Sequence, residues 1–200
     1  MEQKTIYLVR HGKIKTDSQR SYIGQIDLPL TEEGRMQAQA LAGKFSKLNI
    51  DEIYCSDLSR SRDTAQEIAM AHGLVPLERA DLREISLGKW GGLKFAEVAR
   101  RYPREFKQRG TDIGYFRPPG GESFADCSKR VLTAFQDILE KPNNNILIVG
   151  HAGINRLIIC HVLGLPLDNL FRIGQDYGCL NIILSGKFGY RLKLLNAPIF

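Results

Sequence analysis

Apolar and polar positions along this chain fall into blocks that switch between the period of strands and the period of helices. Residues 6–9, Ile-Tyr-Leu-Val, are a continuous apolar run with a β-branched start, the pattern of a strand buried on both faces. Residues 146–149, Ile-Leu-Ile-Val, repeat it, and residues 51–55 and 75–77 predict two shorter strands. Helical spacing begins behind Thr31, an N-cap with Glu32 and Glu33 in the first turn, and places Ala38, Leu41, Ala42, Phe45 and Leu48 on one face. Gly34 stands where a capping-box glutamate would be. Ala65, Ile68 and Ala69 mark a second helix over residues 58–72, with Gly73 as its stop signal. Phe124, Cys127, Val131, Ala134, Phe135 and Ile138 mark another that ends near Pro142, and Ile154, Leu157, Ile158, His161 and Val162 a further one. A polar helix is expected over residues 94–101, before Pro103. Residues 180–184 and 192–195 read as strands around a turn at residues 186–189, a connection too tight for a crossover, so they pair antiparallel at one sheet edge.

Strands alternating with helices predict a layered α/β domain with a largely parallel sheet. The 200 residues suit one domain spanning 1–200, and the breaker cluster Arg117-Pro118-Pro119-Gly120-Gly121 reads as a loop within it. A net charge of +6 favours anionic ligands weakly, and without any Lys/Arg block nucleic acid is not an expected partner. Cys55, Cys127, Cys160 and Cys179 are far apart, with no C-x-x-C pair and no zinc spacing, so they read as small buried hydrophobes. No apolar leader core precedes the first strand, and the longest apolar candidate, residues 157–167, is interrupted by His161 and Gly164. No membrane partner is expected, and a reducing cytoplasm is the expected location. A homodimer stays open as an assembly, since no exposed seam separates from the core stripes.

Candidate chemistry sits where the apolar strands stop. The first ends in Arg10-His11-Gly12 and the later one in Gly150-His151-Ala152-Gly153, at the strand ends where open α/β sheets bind ligands. Taken alone, each reads equally as a polar turn. If the two strands are parallel neighbours, His11 and His151 emerge together, and the strand ending before Ser56 delivers Arg60 to the same edge. Two histidines and two arginines suit a phosphate: guanidinium forks bind phosphoryl oxygens bidentately, and nearby arginines keep an imidazole neutral and nucleophilic. A neutral His11 can attack phosphorus while Arg10, Arg60 and a protonated His151 stabilise the equatorial oxygens, with no metal and no other cofactor. The leaving alkoxide needs an acid. Glu84, in a Gly-rich loop beside apolar residues, is a candidate, and Glu122 and Asp57 compete with it on spacing alone. His72 and His161 read as structural, Arg62, Arg100, Arg101 and Arg104 as solvated, and Trp90 as packing or pocket wall. The long polar loop over residues 13–30 is expected to be functional.

These blocks together resemble the histidine phosphatase superfamily, which includes cofactor-dependent phosphoglycerate mutases. The resemblance runs in order through Leu8-Val9-Arg10-His11-Gly12, Gly24, Asp27, Leu30-Thr31, Gly34, Ser56-Asp57-Leu58-Ser59-Arg60, Thr64-Ala65, Glu84 and Gly88. It continues through Pro119-Gly120-Gly121-Glu122-Ser123, Arg130-Val131 and Val149-Gly150-His151-Ala152-Gly153. It implies a three-layer α/β/α sandwich, His11 as phosphorylated nucleophile and Glu84 as proton donor. It also implies a phosphate pocket of Arg10, Arg60 and His151, covered by backbone near Gly24, and a small phosphorylated metabolite as partner. Family members often carry Glu and then Ser or Thr after Arg-His-Gly; Lys13 and Ile14 stand there, so a phosphate-binding hydroxyl is missing.

The expected activity is phosphomonoester hydrolysis through phosphohistidine. Residues 118–123 and 175–181, with the chain length, are similar to the α-ribazole-5′-phosphate phosphatases of cobalamin synthesis. A phosphoglycerate mutase is the alternative enzyme, although such mutases tend to be longer. A non-catalytic phospho-ligand sensor is the alternative that Lys13 and Ile14 suggest. Residues after Gly92 and around Tyr115 are expected to form the lid that selects the leaving group.

Overall fold

The apolar run of residues 6–9 becomes the middle of a six-stranded sheet, because every side chain there has a helix layer or a neighbouring strand to meet. The computed structural model describes residues 3–16 and 21–199. In chain order its main elements are β1 (Lys4–Arg10), α1 (Glu32–Phe45), β2 (Glu52–Cys55), α2 (Ser59–Met70) and β3 (Leu77–Glu78). Then come α3 (Phe95–Arg101), α4 (Pro103–Thr111), α5 (Phe124–Glu140), β4 (Asn145–Gly150), α6 (Ala152–Leu163), β5 (Leu180–Gly186) and β6 (Gly189–Ala197). Sheet order is β3-β2-β4-β1-β5-β6, with β1, β2, β3 and β4 parallel and β5 and β6 antiparallel at one end.

Alternate residues of β4 explain the three layers. Ile146 and Ile148 face the cluster that holds Phe135 and Ile138 of α5 and Leu157 and Ile158 of α6. Leu147 and Val149 face the opposite cluster, with Leu41 and Phe45 of α1 and Ile68 of α2. Each such side chain contributes about 1.5–3 kcal/mol of burial relative to exposure. A strand walled on both faces cannot alternate with polar residues, which is why β1 and β4 are uniformly apolar.

The pattern-based boundaries hold for most elements, and the differences have physical causes. Leu48 lies beyond α1 and is exposed, and the expected strand over residues 75–77 shrinks to Leu77–Glu78 at the sheet edge, where Val75 is exposed. Helix α4 and the short 3-10 turns Ala80–Leu82, Gly88–Trp90 and Leu167–Arg172 carried no apolar period to announce them; α4 buries no residue and starts with Pro103. Thr31 caps α1 by accepting from Gly34 N–H at 3.1 Å, with no capping box. Glycine is required at positions 12 and 34 because the two backbones touch: a Cβ on Gly34 would lie 2.1 Å from the Lys13 carbonyl oxygen, and one on Gly12 2.3 Å from the Gly34 oxygen. All four cysteines are free thiols in the interior, and no helix of the described residues is long and apolar enough to cross a membrane.

Candidate active site

Parallel pairing of β1 with β4 puts Arg10 opposite Gly150, so the residues that follow, His11 and His151, leave the sheet side by side with ring centroids 5.0 Å apart. His11 is 3% exposed, Arg60 1% and His151 fully buried, so the pocket floor is desolvated. The His11 Nδ1–H donates to the Gly12 carbonyl at 2.7 Å; that bond fixes the tautomer and leaves the Nε2 lone pair free. Burial, then the charges of Arg10 and Arg60, hold this imidazole well below its ordinary pKa, so it is neutral.

His151 departs from the sequence expectation of an imidazolium. Its Nδ1 accepts from Arg60 Nε at 3.2 Å, and a guanidinium can only donate, so the ring is neutral with Nε2–H donating to Ser56 Oγ at 2.7 Å. Burial and the neighbouring His11, Arg60 and Arg10 push its pKa well down. The rule that neutralises His11 applies equally to its neighbour. Arg60 is anchored further by donating from Nη1 to Ile26 O at 2.7 Å and from Nη2 to Gly24 O at 2.8 Å. Gly24 thus lies at the pocket, with its carbonyl holding Arg60.

Arg10 donates from Nη1 to Gln175 O at 2.6 Å, and its guanidinium carbon lies 3.7 Å from the centroid of Tyr177, whose ring is 5.6 Å from His11. Gln175 and Asn181 form a buried amide pair beneath it, tied to β1 by Asn181 Nδ2 donating to Leu8 O. Geometry also separates the three acid candidates. Asp57 is bonded to Arg83, which holds its carboxyl low, and Glu122 is clamped by Arg130 at 2.8 and 2.9 Å. Glu84 alone of the three lines the pocket, its oxygens accepting from Gly153 N–H at 2.9 Å and Ile85 N–H at 3.0 Å. Gly153 belongs to the first turn of α6, whose N-terminus favours a carboxylate. Arg130 of α5 also donates to the carbonyls of Asp81, Arg83 and Glu84 and so staples the acid's loop in place.

A cavity of about 510 Å³ opens over this floor. Arg10, Gly24 and Glu84 line it; His11, Arg60 and His151 sit behind its wall, where Tyr177 also contributes. Phe95 and Arg109 supply the wall from α3 and α4, within the stretch after Gly92, whereas Tyr115 is exposed and Trp90 is buried packing. Ser56, Gly153, Arg109, Arg156 and Tyr177 had no assigned role from sequence. Ser56 and Gly153 stand within the recognised blocks and Tyr177 within the 175–181 stretch, whereas Arg109 and Arg156 carry no motif.

Lys13 and Ile14 turn out to be structural. Lys13 N–H donates to Gln37 Oε1 at 2.8 Å, its carbonyl accepts from Thr31 N–H at 2.9 Å, and Ile14 is buried and bridged to Leu30. Thr16 brings a hydroxyl to the cavity lining nearby. Of the loop over residues 13–30, residues 17–20 lie outside the described residues.

Comparison with known proteins gives the family of the chain. The family model described as histidine phosphatase superfamily (branch 1) matches residues 6–198. Phosphoserine phosphatase 1 of Hydrogenobacter thermophilus is 31% identical over 179 residues, covering 89% of this chain and 85% of that protein. The crystal structure of the α-ribazole phosphatase from Shigella flexneri superposes with a TM-score of 0.90 at 27% identity, covering 96% of each chain. A mycobacterial glucosyl-3-phosphoglycerate phosphatase does so with a TM-score of 0.87 at 27% identity, covering 98% of this chain and all of that one. The chain therefore belongs to the histidine phosphatase superfamily, branch 1, and is a phosphatase of that family.

Proposed function

We propose that this phosphatase hydrolyses small phosphomonoesters through a phosphohistidine on His11, without a metal or other cofactor. The observation that carries the reading is the His11 tautomer: Nδ1–H held by the Gly12 carbonyl, Nε2 unprotonated, and cations close by. In the first step the Nε2 lone pair forms a bond to phosphorus, the ester P–O bond breaks, and Glu84 in its acid form gives the leaving oxygen its proton. Charge arising on the imidazole is shared with the Gly12 carbonyl through Nδ1–H. Arg10 and the unengaged Arg60 N–H groups hold the equatorial oxygens, while the neutral His151 imidazole orients Arg60 by accepting from its Nε–H. In the second step the Glu84 carboxylate takes a proton from water, the water oxygen bonds to phosphorus, and the P–N bond breaks to release phosphate and neutral His11.

α-Ribazole 5′-phosphate is a candidate substrate through the likeness of residues 118–123 and 175–181 and through the Shigella relative. In this fold those stretches serve as scaffold: Gln175 and Asn181 are buried, Glu122 pairs with Arg130, and of residues 175–181 only Tyr177 lines the cavity. The choice of leaving group therefore rests on the cavity walls. The test is His11→Asn with a chelator control. Loss of turnover in the variant, with wild-type turnover unaffected by EDTA, is expected; normal turnover by the variant would overturn the proposal.

A further inference from the structure

The cavity wall away from the sequence motifs carries two cations that phosphate chemistry does not use. Arg109 comes from the last turn of α4, with its guanidinium carbon 5.3 Å from the Tyr22 centroid and 5.9 Å from that of Phe171. Arg156 comes from α6 and lies 5.3 Å from the same Phe171 centroid, with Nε donating to Ile173 O at 2.8 Å. The two guanidinium groups therefore flank one ring, and both line the cavity that holds Glu84. Both are partly buried, and among the described residues no Asp or Glu is within ion-pair distance of either. Burial lowers the pKa of each; Arg10 lowers that of Arg156 further, while Glu84 and Asp176, beyond ion-pair distance, oppose the shift.

A half-desolvated cation without a counter-ion is costly unless something anionic completes it. Aromatic contact covers part of each guanidinium and limits its orientations, leaving N–H edges for a planar oxyanion. Among the described residues the one carboxylate lining the cavity, Glu84, is already engaged by two backbone N–H groups. A phosphoryl group would be met by Arg10 and Arg60, so Arg109 and Arg156 are left for the other end of the ligand.

We propose that Arg109 and Arg156, braced on Phe171, form a second anion subsite that selects phosphomonoesters whose leaving group carries a carboxylate or a further phosphate. This rests on the phosphatase reading above and narrows its substrate class. A packing role alone would leave the arginines indifferent to substrate charge.

The decisive comparison uses near-isosteric substrates: 3-phosphoglycerate against glycerol 3-phosphate, which differ by a carboxylate in place of a hydroxymethyl group. A bisphosphate, 1,3-propanediol bisphosphate, tests phosphate as the second anion. Wild-type kcat/KM should favour at least one dianionic-plus-acid substrate by about tenfold or more, the scale of one charge-assisted hydrogen bond. Arg109→Gln and Arg156→Gln should each remove most of that preference, chiefly through KM, with glycerol 3-phosphate and p-nitrophenyl phosphate changed by no more than about twofold. No preference for either acidic substrate in the wild type, or equal losses on all substrates in the variants, overturns the subsite. Formation of phosphoenzyme from p-nitrophenyl phosphate is read in parallel. If it forms normally while the preference is absent, only the subsite fails; if it never forms, the phosphohistidine reading fails first.

Discussion

Gly153→Ala tests whether the position of Glu84 matters apart from its identity. A Cβ at residue 153 would lie 2.3 Å from Glu84 Oε1 and 3.1 Å from its Cδ. These atoms are the free end of a flexible side chain, so the clash is relieved by moving the carboxylate rather than the backbone. In the first turn of α6, alanine is a better helix former than glycine by about 0.5–1 kcal/mol. The fold should therefore be as stable as the wild type, while the carboxylate leaves its bond to Gly153 N–H. Losing a positioned general acid costs about 10²–10⁴-fold, which is about 2.7–5.4 kcal/mol of transition-state stabilisation. The assay compares kcat on an alkyl phosphate, whose leaving group needs a proton, with kcat on p-nitrophenyl phosphate, whose leaving group does not. A fall of about 10²-fold or more on the first, a much smaller fall on the second and an unchanged melting temperature are expected. Wild-type kcat on the alkyl phosphate would refute the role of Glu84, provided a thermal melt shows the variant folded.

Arg130→Lys removes the fork that holds the carbonyls of Asp81, Arg83 and Glu84; misplacing the acid by about 1 Å should cost about 10²-fold in kcat on alkyl phosphates with KM little changed, and equal losses on p-nitrophenyl phosphate would contradict a positioning role. The buried histidines make stability depend on pH. Both have folded-state pKa values below the ordinary value of about 6.5, so below it the unfolded chain binds more protons and stability falls on acidification, by up to about 1.4 kcal/mol per pH unit for each imidazole. His11→Asn should reduce that slope by up to about one proton in urea melts compared at about pH 7 and pH 5.5, and an identical slope would mean His11 is charged in the fold.

Much of the site was readable because it sits where strands end. Uniformly apolar runs at residues 6–9 and 146–149 declared two central strands, and parallel pairing then forced His11 and His151 together. The choice of Glu84 over Glu122 and Asp57 was not readable on spacing, because it depends on Arg130 and Arg83 capturing the other two carboxylates from distant elements. Lys13 and Ile14 looked like a damaged phosphate contact because the packing of residue 13 against Gly34 is a backbone matter that residue type does not display. The expected imidazolium at His151 was not realised because sequence does not show that Arg60 donates directly to its Nδ1, which only a neutral ring can accept. Helix α4 escaped notice for lack of any buried face, and with it Arg109.

The central claim is that His11 Nε2 carries the phosphoryl group. Rapid acid-free quenching of the enzyme with a phosphomonoester, followed by ³¹P NMR and peptide mapping, reads this directly. A base-stable, acid-labile phosphoramidate on Nε2 of His11, absent in His11→Asn and accumulating in Glu84→Gln with p-nitrophenyl phosphate, is the expected result. Steady turnover with no phosphoenzyme, or a phosphoryl group on His151 instead, would contradict it.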